Sequence, residues 1–220
     1  MIINHIIYVV LCTLLQLLVK VKSQTTPTIV DLREGHTATF INDKLYILGG
    51  AIPPFDGKVS PKETFFYLDC STPFNTSELK WIDLSNNGVI PPSHYFAAAA
   101  RGGERHDTLF LYGGESLGGG PPMSPVYTFN TLNNTWNVPI VAGESPSGRV
   151  FITPIVDNNG LIYLYGGATN MKGYYTNDTF ILDSIYLNWK KVNSTNAPSP
   201  RVAYGAVLLS DKSTILYMGM

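Results

Sequence analysis

One short phrase, an apolar run closed by glycine, occurs four times in this chain and governs what it can fold into. The copies read LYILGG (Leu45 to Gly50), LFLYGG (Leu109 to Gly114), IYLYGG (Ile162 to Gly167) and ILYMGM (Ile215 to Met220). Their first glycines stand at 49, 113, 166 and 219, so the spacings are 64, 53 and 53 residues. A period of that length marks a repeat architecture, in which each unit buries its apolar face only against its neighbours. The fourth copy falls on the last residues, so the sequence reads as stopping inside a fourth unit.

Aligning the phrases brings other columns into register. Sixteen to nineteen residues upstream of each first glycine sits a basic or histidine residue: Arg33, His94, Arg149 and Arg201. In three copies Pro and Ser crowd before it, and small or apolar residues follow it. Downstream of each diglycine comes a loop, then an aromatic-aliphatic strand ending in a turn former: Phe65 to Asp69, Val126 to Asn130 and Thr179 to Asp183. One tryptophan closes each unit, Trp81, Trp136 and Trp189.

The segments are short, β-branched or aromatic, and bounded by Gly, Pro, Asn and Asp, which predicts strands and tight turns. Each unit reads as a four-stranded antiparallel meander. Such a sheet, apolar on both faces, needs neighbours, and stacking sheets around an axis makes a β-propeller. The paired glycines suit a crowded position or a positive φ. The tryptophan is a large apolar wedge for the space between sheets. These columns read as scaffold.

The set Arg-x-x-His, strand, Leu-Tyr-x-x-Gly-Gly, strand ending in Asp, then Trp resembles the kelch repeat. The first unit matches through Arg33, His36, Gly49, Gly50, Asp69 and Trp81. The second matches through His94, Gly113, Gly114 and Trp136, with Asn130 where Asp is usual. The third supplies Arg149, Gly166, Gly167, Asp183 and Trp189, and the fourth Arg201, Tyr217 and Gly219. The resemblance implies an all-β, kelch-type β-propeller with three complete four-stranded blades and the first half of a fourth. The units run roughly over 31–83, 91–138, 146–192 and 198–220, within a propeller region 24–220. Kelch propellers usually close with five to seven blades, so the expectation is a fragment of a longer closed ring, or a partial ring closed by dimerisation.

Residues 1–23 read differently. Ile6 to Val19 is almost wholly apolar and about fourteen residues long, short of the roughly 20 a membrane span needs. Val21-Lys22-Ser23 gives the small-residue spacing of a signal-peptidase site, which predicts a cleaved secretory signal, with an uncleaved signal anchor as the alternative. Four Asn-x-Ser/Thr sequons, at Asn75, Asn133, Asn177 and Asn193, agree with export and predict glycosylation. Cys70 is the lone thiol after Ser23, so no disulfide framework is expected. Net charge is −1 with no long run of either sign, which speaks against nucleic acid or an anionic membrane as partner.

In a meander propeller, the loops joining strands two to three and four to one share one face. The two-to-three loops are long and carry Phe55, Asp56, Met123, Tyr174 and Tyr175, the candidate binding residues. Catalytic signatures do not assemble: no His-x-x-x-His or Cys-x-x-Cys is present, and the charged stretch Arg101 to Asp107 reads as a solvated hairpin tip. The expected function is therefore a non-catalytic, secreted or cell-surface protein that binds a protein or glycan, with no cofactor. Two alternatives stand beside it. One is a copper-radical oxidase fragment, because galactose oxidase uses a kelch-type propeller. The other is the ectodomain of a kelch receptor whose membrane anchor lies beyond residue 220.

Overall fold

The computed structural model describes residues 30–52, 64–86, 91–117, 123, 126–193 and 196–219. The segment read as a signal and two candidate binding residues, Phe55 and Asp56, lie outside them. Every regular element among the described residues is a strand.

The first sheet is an antiparallel meander of β1 (Thr37–Ile41), β2 (Lys44–Leu48), β3 (Phe65–Asp69) and β4 (Trp81–Asp83). Its local causes are plain. β1 alternates Thr-Ala-Thr-Phe-Ile, and its first, third and fifth residues are buried while the second and fourth are exposed. Asn42 and Asp43, both at positive φ (49° and 59°), turn the chain back so that Ile41 pairs with Lys44. That is the two-residue hairpin turn whose twist suits antiparallel strands, and Asn and Asp tolerate it best after glycine.

The second unit contains β5 (His94–Tyr95), β6 (Ala98–Gly102), β7 (Thr108–Tyr112), β8 (Glu115–Ser116), β9 (Tyr127–Asn130) and β10 (Thr135–Asn137). Four of these form a meander in the order β6-β7-β9-β10, while β5 and β8 make a separate ribbon. The third unit holds β11 (Ala142–Gly143), β12 (Ile155–Val156), β13 (Leu161–Tyr165), β14 (Thr179–Asp183) and β15 (Asn188–Val192). Here the sheet has five strands, because β11 adds in parallel to the outer edge of β15. Finally β16 (Gly205–Leu208) and β17 (Ile215–Met218) pair as a hairpin.

The sheets stack in chain order. β1 packs on β6, β6 on β12 and β12 on β16, so the first strands of successive units meet along one line. The core is correspondingly divided into layers between blades. Ile41, Tyr46, Leu48 and Phe65 meet Leu109, Leu111 and Phe129 between the first and second blades. Phe110 and Tyr112 meet Ile162, Leu164, Phe180 and Leu182 between the second and third. Strand β7 thus sends alternate residues into two different cores, as the period-two geometry of a strand demands. Each fully buried aliphatic or aromatic side chain stabilises by about 1.5–3 kcal/mol.

Two of the tryptophans act as wedges against the preceding blade. Trp136 sits 5.2 Å from Phe65, and Trp189 sits 5.4 Å from Tyr112, ring centre to ring centre. Trp81 stacks edge-on against Phe66 at 5.2 Å, within its own blade. The turn formers that close the third strands behave alike: Asp69, Asn130 and Asp183 each accept a backbone N–H two residues on.

Two expectations are corrected here. Met123, read as a binding-loop residue, is 5% exposed and packs into the core between the first two blades, because an unbranched apolar side chain is better placed there than in water. Asp107, read as part of a solvated tip, is also buried; its carboxylate accepts from Arg105 Nε at 2.8 Å and its carbonyl from Thr131 Oγ1 at 2.6 Å.

Candidate functional site

Each blade is tied to the next by its diglycine. The amide of Gly50 donates to the His94 carbonyl at 2.8 Å, that of Gly114 to the Arg149 carbonyl at 2.8 Å, and that of Gly167 to the Arg201 carbonyl at 3.0 Å. The acceptor is always the basic-column residue of the following blade. The glycine before each donor cannot carry a side chain: a Cβ on Gly113 would stand 2.2 Å from the Arg149 carbonyl oxygen, at a φ of +69°. The repeat phrase is therefore the joint between blades.

The basic column turns inward. Arg33 and Arg149 are buried, and their Nη1 atoms donate to the Gly49 and Gly166 carbonyls at 3.2 and 3.0 Å. Each guanidinium also lies over a phenylalanine ring, Phe66 at 4.6 Å and Phe180 at 5.4 Å. Arg149 adds a two-pronged ion pair with Asp178, with Nη2 to Oδ2 at 2.7 Å. Burial alone would raise the Asp178 carboxyl, but the hydrogen bonds and charge of Arg149 outweigh it and hold it below the usual carboxylate range. Arg201 is less enclosed and donates to the Ser199 carbonyl at 3.3 Å.

Two residues beyond each basic position lies a column that sequence reasoning missed. Gly35, Phe96, Phe151 and Ala203 all have positive φ, between 49° and 66°. Phe96 N–H donates to the Gly35 carbonyl, Phe151 to Phe96 and Ala203 to Phe151, at 2.7 to 3.1 Å. The chain of bonds crosses every joint in turn. The Phe96 and Phe151 rings lie 4.4 Å apart, centre to centre, tilted by 43°, and are half-buried. The only signal was positional: Gly35 marks the column in one unit, while two phenylalanines and an alanine hide it in the others.

The loop face is built on this frame. In each of three blades the residue after the basic position pairs with the residue after the diglycine: Glu34 with Ala51, Tyr95 with Glu115, Val150 with Ala168. These pairs put the inter-blade connections and the two-to-three loops on one face. In the third blade the loop 169–176 presents Met171, Tyr174 and Tyr175 to solvent, with Tyr174 88% exposed. Glu115 Oε2 of the second blade accepts from the Met171 amide at 2.8 Å and braces the loop. Asn177, exposed, ends this loop, and Asn193 follows β15; exposed Asn75 and Asn133 lie in third-to-fourth-strand turns on the other face. Within those two sequons Ser77 and Thr135 donate their hydroxyls to the asparagine Oδ1 atoms at 2.9 and 2.6 Å.

Gly219 also has a positive φ, +115°, but well above the 63° to 71° of the other first glycines, with Tyr204 of its own blade nearby. Cys70 is half-buried and unpaired. Among the described residues no three of His, Cys, Asp and Glu come together as a metal site would require.

The family model described as the KLHDC2/KLHL20/DRC7 Kelch-repeats domain matches residues 35–220. The chain belongs to the kelch-repeat family. Among kelch-containing and other curated proteins, it is 29% identical over 165 residues to the Rho GTPase-activating protein gacHH of Dictyostelium discoideum, covering 74% of this chain and 10% of that one. It is 26% identical over 172 residues to Kelch domain-containing protein 3 of Rattus norvegicus, covering 76% and 43%. Host cell factor of Drosophila melanogaster is 25% identical over 199 residues, covering 80% and 13%. This kelch chain thus spans less than half the length of each of these relatives.

Proposed function

We propose that this chain is a binding module that holds a protein or glycan partner on its loop face and is exported. One observation carries the reading of the face: the third-blade loop exposes Met171, Tyr174 and Tyr175 together while Glu115 of the neighbouring blade braces it. Exposed tyrosines supply large contact area at low conformational cost, the residue chemistry of binding hot spots. Kelch membership supports a protein-binding propeller. The apolar segment Ile6 to Val19 and the four exposed sequon asparagines support export.

A photo-reactive residue at position 174 in the full chain, compared with one at Tyr186 on the opposite face, tests the face. The reading expects partner cross-links from 174 that a Tyr175→Ala change weakens about tenfold, since one hot-spot aromatic is worth about 1–2 kcal/mol. Cross-links from position 186 alone would overturn it. Export is tested separately, by recovering the chain from the medium of secretory cells and treating it with an asparagine-glycan hydrolase. A mass decrease supports glycosylation, and an unmodified chain confined to the cell refutes it.

A further inference from the structure

The joint between the first and second blades differs in its chemistry from the other two. Its basic-column residue is His94, where the next joints use Arg149 and Arg201. The His94 side chain is 2% exposed, and its Nδ1 lies 2.7 Å from the Pro92 carbonyl, so Nδ1 carries the proton and donates. The other ring nitrogen, Nε2, is buried with no hydrogen-bond partner among the described residues. It faces the glycine of the first blade: a Cβ on Gly49 would stand 2.7 Å from it. The second histidine, His36, is on the other side of the same phrase, with its Cβ 3.1 Å from where a Gly50 side chain would begin. Arg33 completes the surroundings by donating to the Gly49 carbonyl at 3.2 Å. Gly49 thus lies against the His94 imidazole beside a fixed cation, and Gly50 lies against the Cβ of His36, an exposed residue.

We propose that this joint is an acid-operated hinge: protonation of His94 breaks the Gly50–His94 hydrogen bond and loosens the first blade from the second, while the later joints stay closed. Protonating Nε2 places a donor and a charge where the described residues supply no acceptor, against the low-polarity wall of the joint. Among the described residues the charged groups facing the two histidines are few. From the first blade come Arg33, which opposes a second cation, and the exposed Glu34 beside Gly35. From β8 comes Glu115, whose carboxylate is already engaged by the Met171 amide. Ser116 pairs with His94 across the ribbon and brings no charge.

Burial holds both imidazoles below the usual histidine value of 6.5, and for His36 the charge of Arg33 adds to this. Groups so lowered bind fewer protons folded than unfolded, so their stabilising contribution is complete above about pH 6.5 and is lost as the pH falls from there through the folded-state value. The later joints lack a buried histidine and have no such dependence in that window.

Amide hydrogen exchange on the full chain between pH 7.5 and 5, corrected for intrinsic rates, tests this. The Gly50 amide is expected to lose at least tenfold protection over that range relative to the Gly114 and Gly167 amides. His94→Asn, which cannot titrate, should remove most of that selective loss. Equal behaviour of the three amides overturns the proposal, as does an undiminished selective loss in the variant. If His94→Asn fails to fold, the ring resonances of His94 in the unaltered chain decide. A midpoint below 6.5 that coincides with the Gly50 change supports the hinge, and a midpoint at or above 6.5 refutes it.

Discussion

Gly113 illustrates how a single residue type serves the joint. Its backbone has a φ that L side chains avoid, and the space where a Cβ would go is filled by the Arg149 backbone carbonyl. Gly113→Ala is therefore expected to cost about 3 kcal/mol or more, read as a fall in the chemical-denaturation midpoint. Gly205 is the control. A Cβ there meets only the Met218 carbonyl oxygen, at an ordinary 3.7 Å, so Gly205→Ala should change stability by no more than about 0.5 kcal/mol. Ala203 runs the other way, since it carries a Cβ at a φ of +49°. Replacing it with glycine should raise stability by about 0.5 kcal/mol, after the added freedom of the unfolded chain is subtracted.

At the scale of the element, β7 is the informative strand because it supplies two cores. Leu111→Ala should cost about 2–5 kcal/mol and raise hydrogen exchange chiefly in β1 and β2, which share its core. Phe110→Ala should cost about 3–5 kcal/mol and act chiefly on β13 and β14. Identical exchange patterns for the two variants would show that the blades open together. Arg149 and Asp178 brace the third blade in the same local way. The aspartate is about a third exposed, so Asp178→Asn should cost about 2 kcal/mol, less than a fully buried pair. Because Arg149 holds the Asp178 carboxyl low, this contribution is present above the ordinary carboxylate pKa and disappears as the pH falls through the folded-state value. A denaturation series between pH 5 and 2 should show that the variant has lost this slope.

For the whole molecule, stability is close to a sum of blade terms and joint terms, because each blade touches only its neighbours. The free face of the fourth hairpin exposes Val207, Leu216 and Met218. Lysine at Leu216 and Met218 should therefore raise the solubility of the 220-residue chain, measured by light scattering against concentration, without lowering its unfolding midpoint.

The repeat, the all-β class, the strand positions and the turn formers were legible in the sequence, because each depends on contacts close along the chain. Alternation in Thr37 to Ile41, the Asn42-Asp43 turn and the asparagine and aspartate caps need only local geometry. The role of the diglycines was legible as crowding and not as a joint, since their partners His94, Arg149 and Arg201 lie in the next unit. Met123 and Asp107 were misplaced for the same reason: a loop-like neighbourhood says nothing of a cavity supplied by strands elsewhere. The positive-φ column of Phe96, Phe151 and Ala203 left no compositional mark, as phenylalanine and alanine are ordinary strand residues. The fifth strand β11 depends on an edge that exists only after β15 has formed. Tertiary structure alone decided which polar atoms lost their water, and so buried the Nε2 of His94 against Gly49.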